Sequence, residues 1–202
     1  ASSASSGQSV NIADNSAFDW TSGGSCTFWF APHVITDRRF ITKEGGSNNG
    51  WQVMSEGGPD AGKMKFRIKV GDDVSTITGT TDIATDGTWY FIAVVYDQSA
   101  GTMKLYVDGV EEADETGVGT INTNTADVYL GSNSTPTQYY DGLMQEIGIF
   151  DYAISEDTIA ELFNSSDGAK VSELTTTCSG IVAYYSCQEF DSGDLPNNAI
   201  PT

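Results

Sequence analysis

Basic side chains are scarce in this chain. Nine Lys plus Arg face 28 Asp plus Glu across 202 residues, for a formal net charge of −19, and His33 is the only histidine. A surface of that sign repels nucleic acid phosphates and anionic lipid headgroups, which excludes both as partners. Cysteine is limited to Cys26, Cys178 and Cys187, with no CxxC pair. With a single histidine beside them, no zinc site of the usual Cys/His kind can be assembled. Cys178 and Cys187 either close a short disulfide loop or stay free, while Cys26 lies in an apolar strand and reads as core. No apolar run approaches the roughly 20 residues of a membrane-spanning helix, so no membrane insertion is expected. No signal peptide is visible, and residues 1–7 (Ala-Ser-Ser-Ala-Ser-Ser-Gly) read as a linker or a trimmed start. A phosphate-cradling loop is also missing. Gly45 to Gly50 is glycine-rich but lacks the strand–helix context and the Lys-Ser/Thr ending.

What is present favours strands joined by turns. Glycine is abundant, at 22 residues, and β-rich apolar stretches alternate with Gly, Asn, Asp and Pro. Such stretches occur at residues 9–12, 26–30, 39–42, 51–54, 63–70, 89–96, 102–107, 126–131, 142–150 and 180–185. In the fifth, Met64, Phe66, Ile68 and Val70 share one face, and the basic residues between them read as a solvated surface. Trp89 to Tyr96 is the most apolar and is expected to be central. Asp108-Gly109 marks a tight hairpin turn. One helix is expected after Ser155, its N-cap, with Glu156 and Asp157 in the first turn and Ile154 and Ile159 as a hydrophobic staple.

Three segments resemble the concanavalin A-like, laminin G-like jelly-roll superfamily, in its bacterial and viral LamG-like branch. The first is Trp89 to Asp97 followed by Leu105-Tyr106-Val107-Asp108-Gly109. The second is Tyr140-Asp141-Gly142-Leu143-Met144-Gln145-Glu146-Ile147-Gly148-Ile149-Phe150. The third is Ala153-Ile154-Ser155 through Leu162. With Asp14-Asn15 and Thr27-Phe28-Trp29, the resemblance covers about residues 8 to 165. It implies an all-β fold: a jelly-roll sandwich of two antiparallel sheets with one short C-terminal helix. Residues 8–168 then form the jelly-roll domain. Residues 169–202 form a linker plus an extra strand, Ile181-Val182-Ala183-Tyr184-Tyr185, which resembles the opening strand of such domains. That strand either begins a following repeat, the reading preferred here, or completes this domain.

The resemblance further implies a structural calcium, held by an Asp-Glu pair on the penultimate strand and an acidic residue near the N-terminus. Asp14, Asp141 and Glu146 are the nominated metal ligands, although Gln145 stands where the family has Asp and brings no charge. Otherwise no cofactor is expected.

Aromatics beside turns suggest a carbohydrate surface, since sugars stack on exposed rings and are held by amide side chains. Trp20, Trp51, Tyr139 and Tyr140 are the aromatic candidates, with Asn48, Asn49 and Gln138 as polar partners. Trp29 and Trp89 read as core. Catalytic residues are not expected. Glu111-Glu112-Ala113-Asp114-Glu115 has the wrong spacing for a glycosidase carboxylate pair and reads as a solvated patch, and His33 has no obvious partner. Asn133-Ser134-Thr135 and Asn164-Ser165-Ser166 are glycosylation sequons that matter only in a eukaryotic secretory host.

The leading functional reading is a non-catalytic, extracellular, lectin-like recognition or adhesion module whose partner is a glycan or a protein surface. The competing reading is a structural repeat or decoration unit of a virion, fibre or adhesin that contacts neighbouring repeats or subunits. A glycan hydrolase or lyase ranks third. Fold alone does not choose among them.

Overall fold

A computed structural model describes residues 9–135, 138–164 and 181–185. Twelve strands form two antiparallel six-stranded sheets. The first sheet contains β1 (Val10–Ile12), β10 (Val128–Leu130), β3 (Arg39–Glu44), β4 (Gly50–Ser55), β5 (Met64–Val70) and β6 (Asp73–Thr78), in that spatial order. The second contains β12 (Ile181–Tyr185), β11 (Asp141–Phe150), β2 (Gly23–Val34), β7 (Tyr90–Asp97), β8 (Thr102–Val107) and β9 (Val110–Thr116). This is the expected jelly-roll sandwich, with its one helix α1 (Glu156–Phe163).

Alternation decides what each sheet buries. Phe28 and Phe30 of β2, Ile92 and Val94 of β7, Val53 of β4 and Phe66 and Ile68 of β5 meet between the sheets in one large core. Cys26 joins them, fully buried and free, and burial raises its thiol pKa far above the ordinary value. The second sheet is covered on its outer face as well. Trp29, Phe91, Ala93 and Val95 point away from the main core and pack under Ile154, Ile159 and Leu162 at the helix. Burial on both faces explains why β7 reads as a continuous apolar run.

The helix begins where its sequence dictates. The Ser155 hydroxyl accepts the Thr158 amide at 3.2 Å, and Asn164 closes the other end in a left-handed conformation. The β8–β9 hairpin turns through Asp108 (φ 49°) and Gly109 (φ 75°). The Asp108 carboxylate accepts the Phe91 amide at 2.8 Å, and a Cβ at Gly109 would sit 2.8 Å from the Phe163 ring.

The strand at Ile181–Tyr185 pairs antiparallel with β11 and forms an edge of the second sheet. Ala183 and Tyr185 enter the main core and Tyr184 the helix-side cluster. Its two faces thus contribute to both apolar layers of the second sheet. The sequence reading also missed β6 and β9. Cys178 and Cys187 and the remainder of the tail lie outside the described residues.

Candidate functional site

The outer face of the first sheet carries the site. Along β4, Trp51 and Val53 point into the core, so Gln52 and Met54 point outward; along β5, Lys65, Arg67 and Lys69 alternate with the core-facing Met64, Phe66 and Ile68. Register then aligns an outward row of Tyr129, Thr42, Gln52, Arg67 and Thr76, and beside it Arg39, Met54, Lys65 and Thr78. This face is not the solvated surface expected from its sequence. Thr42, Gln52, Met54, Arg39 and Lys65 are all buried.

Loops rising at the edge turn the face into an open groove of about 700 Å³, whose lining includes Arg39, Glu44, Ser47, Arg67, Asn133 and Gln138. Gln138 sits at φ 53°, and its carbonyl accepts the Arg39 amide at 3.1 Å. Its side chain donates to Asp37 and accepts from Asn133 at 3.4 Å, which fixes that wall. Arg67 donates one N–H to Glu44 at 3.2 Å. Arg39 donates to the carbonyls of Arg38 and Ser55 at 3.4 and 3.3 Å, and its nearest carboxylate, Asp37, is 3.7 Å away. Burial first and the Arg67 charge second hold the Arg39 pKa down. Beneath them Gln52 is 1% exposed, and both its amide nitrogen and its amide oxygen lack a hydrogen-bond partner.

The aromatic candidates fare differently. Trp20 and Trp51 are each 1% exposed and stack on one another, with centroids 4.0 Å apart and planes 2° from parallel. The Trp51 indole donates to the Phe18 carbonyl at 2.8 Å. Neither ring offers a face to a sugar; turn-flanked tryptophans here plug the end of the core. Tyr140 is likewise packed, its ring 5.1 Å from Phe40 and its hydroxyl donating to the Leu143 carbonyl at 2.9 Å. Tyr139 is half-buried next to Gln138. Asn49 is occupied in holding its loop, with its carbonyl and side-chain oxygens accepting from Asn124 and Asn122. Asn48 lies in the short turn Gly46–Asn48 just before it, whose Gly46 and Ser47 reach the groove. Of the expected polar ligands, Gln138 stands in the groove. Arg39, Glu44 and Arg67 were missed, although four of the nine basic residues falling on the outward positions of β3 and β5 was a usable signal.

The nominated calcium ligands do not converge. Asp141 and Glu146 lie five positions apart on one strand, roughly 16 Å at strand rise, whereas Ca²⁺ takes oxygens at about 2.4 Å. Asp141 faces His33 at 3.2 Å, and Glu146, in the β11 bulge, accepts from Tyr184. Asp14 belongs to another cluster, centred on an ammonium. Lys43, with a side chain 1% exposed, donates to Asp14 at 2.6 Å and to the Asn124 and Ala126 carbonyls at 3.1 and 2.9 Å, with Asp19 at 3.4 Å. Among the described residues no group of three or more His, Cys, Asp and Glu side chains could hold a metal. These residues do not fit calcium, because they do not converge and the oxygens around Asp14 already surround the Lys43 ammonium.

Other acids are similarly engaged. Glu111 accepts from Lys104 and Tyr106, while Glu112 turns to the Thr80 and Thr81 amides. No helix among the described residues is long and apolar enough to cross a membrane.

Comparison with known proteins agrees with the architecture. Residues 4–160 match the profile of the concanavalin A-like lectin/glucanases superfamily. A Ruminococcus gnavus sialidase carbohydrate-binding domain, bound to α2,3-sialyllactose, is similar in structure at TM-score 0.64 and 12% identity, covering 78% of this chain and 92% of that one. A heptameric SAP-like pentraxin from Limulus polyphemus follows at TM-score 0.59 and 15% identity, covering 74% and 73%. The binding domain of botulinum neurotoxin DC, solved with rat synaptotagmin II, is similar at TM-score 0.54 and 18% identity, covering 81% of this chain and 41% of that one. The chain thus spans about two fifths of the toxin domain. At these identities the likeness is one of fold. No curated protein sequence matches the chain.

Proposed function

The chain belongs to the concanavalin A-like lectin/glucanases superfamily, and from that premise we propose that it is a non-catalytic binding module that takes a glycan in the groove over β3, β4 and β5. The observation that carries this reading is the open polar groove itself, whose walls carry the Asn133 and Gln138 amides. An amide presents one acceptor and two donors, which matches the mixed donor and acceptor character of neighbouring sugar hydroxyls. Ser47, Asn133 and Gln138 add neutral polar groups along the walls. The groove volume falls within the roughly 300–1,000 Å³ typical of small-ligand sites.

A binding role also fits the carboxylates. Glycoside hydrolysis uses two, about 5–10 Å apart. Glu44 is the one carboxylate among the residues lining the groove, and it is tied to Arg67. Structural neighbours that bind sialyllactose or synaptotagmin support a recognition module of this general kind. An extracellular setting belongs to the same proposal, because glycans of this sort are displayed on cell and particle surfaces.

The test is binding to a broad glycan panel, with calcium and with EDTA, alongside Gln138→Met, which keeps the side-chain volume and removes the amide. Binding unchanged by EDTA and weakened about tenfold or more by Gln138→Met is the expected result, that being the scale of a hydrogen-bonded anchor. Binding to no member of the panel would overturn the glycan reading and shift the weight to a protein partner.

A further inference from the structure

We propose that the groove selects glycans carrying a carboxylate, and that Arg39 and Arg67 are the specificity-determining residues that read it; this rests on the glycan reading above. The first support is charge placement. In a chain of net charge −19 with only nine basic residues, Arg39, Lys65, Arg67 and Lys69 all fall on the outward face of two strands. Four of the nine basic residues thus share one sheet face, and two of them, Arg39 and Arg67, line its groove.

The second support is that two guanidiniums line one groove, Arg39 ion-paired to Asp37 at 3.7 Å and Arg67 to Glu44 at 3.2 Å, with donors to spare. A guanidinium carries five N–H donors in a planar fork and pairs best with a carboxylate through two parallel bonds. Arg67 has one such bond, to Glu44, and Arg39 has no carboxylate within hydrogen-bonding distance. Arg39 and Arg67 thus face one carboxylate, Glu44, in the groove lining. They are near enough for the Arg67 charge to disfavour the protonated form of Arg39. An incoming carboxylate relieves that repulsion and completes both forks.

The third support separates a sugar acid from a simple anion. Ser47, Asn133 and Gln138 line the same groove as the two guanidiniums, and their side chains offer both donors and acceptors. An inorganic anion can only accept. A sugar acid brings a carboxylate for the guanidiniums and hydroxyls for these walls.

The experiment is calorimetric titration of the chain with matched ligands: oligogalacturonate against its methyl ester, sialyllactose against lactose, and a sulfated galactan. The acid members should bind about tenfold tighter or more than their neutral partners, the discrimination expected of a charge-assisted fork. Arg67→Gln should abolish that preference. Arg39→Lys keeps the charge but not the fork and should weaken acid binding, while unchanged thermal melting confirms that each variant folds. Equal binding of acid and ester would overturn the carboxylate inference and leave the glycan reading standing. Sulfated ligand bound in preference to carboxylate would overturn it in favour of plain charge attraction. Failure of every sugar, acid or neutral, would overturn both readings together.

Discussion

At the residue scale, Lys43 and Gly24 show how single positions hold the rim of the sandwich. Lys43 replaces what would otherwise be repulsion between Asp14, Asp19 and two carbonyls with attraction. Lys43→Met leaves those oxygens facing one another without a cation, and loss of one partner from a buried charge cluster costs about 3 kcal/mol. Urea denaturation should show that loss, while the wild-type chain should melt at the same temperature in calcium and in EDTA. A calcium-dependent wild-type melting point would place a metal where the ammonium is argued to serve. Gly24 matters by shape. A Cβ there would lie 2.0 Å from the Trp20 ring, inside the stack with Trp51. Gly24→Ala must expel Trp20 or shift β2, at a cost of roughly 1–3 kcal/mol for overpacking, and should raise exposed-tryptophan fluorescence. Cys26 gives a third check at this scale. Fully buried, with a thiol held protonated by desolvation, it should escape alkylation in the native chain and react after unfolding, as mass spectrometry of the Cys26 peptide can report.

At the element scale, turn and cap chemistry was legible because it is written in short range. Ser155, Asp108 and Gly109 each do what their neighbours in sequence require, so Ser155→Ala should cost about 1 kcal/mol through the lost cap. The Asp97 turn behaves similarly. Its carboxylate accepts from the Ala100 amide and from the amide and hydroxyl of Ser99, and these bonds lower its pKa. A lowered folded-state pKa means that the carboxylate adds stability above its unfolded value, about 3.9, and that this is lost as pH falls through the folded value. Asp97→Asn should therefore flatten part of the stability slope below about pH 4 and leave the neutral-pH slope alone. Strand recognition failed where burial was weakest. In β6 only Ile77 is fully buried, and β9 has no fully buried residue, so neither shows apolar alternation. Both are edge strands, and an edge with one polar and one shallow face has no period to read. Ile181–Tyr185 had a readable strand pattern but no readable partner; thirty residues of chain separate it from the end of β11.

At the scale of the whole molecule, the jelly roll was visible in the sequence while the groove was not. Lys65, Arg67 and Lys69 have the spacing of an ordinary wet strand face, and the loop residues Ser47, Asn133 and Gln138 convert that face into a concavity. Burial produced by distant loops leaves no local signature. Conversely, Trp20 and Trp51 lie beside turns in sequence yet fill the core in space. Net charge was fully legible, and it has a consequence for the assembled fold. A charge of −19 on a compact domain repels itself, and the unfolded chain relieves this by expanding. Added salt should then stabilise the fold by screening, since the Debye length shrinks from about 30 Å at 0.01 M to about 3 Å at 1 M. The melting temperature should climb steadily with sodium chloride across that range, and most of the gain should come by about 0.15 M, where screening already reaches roughly 8 Å. A flat profile would mean that Lys43, Lys65, Arg67 and Lys104, each set against one or two carboxylates, already cancel the repulsion that matters.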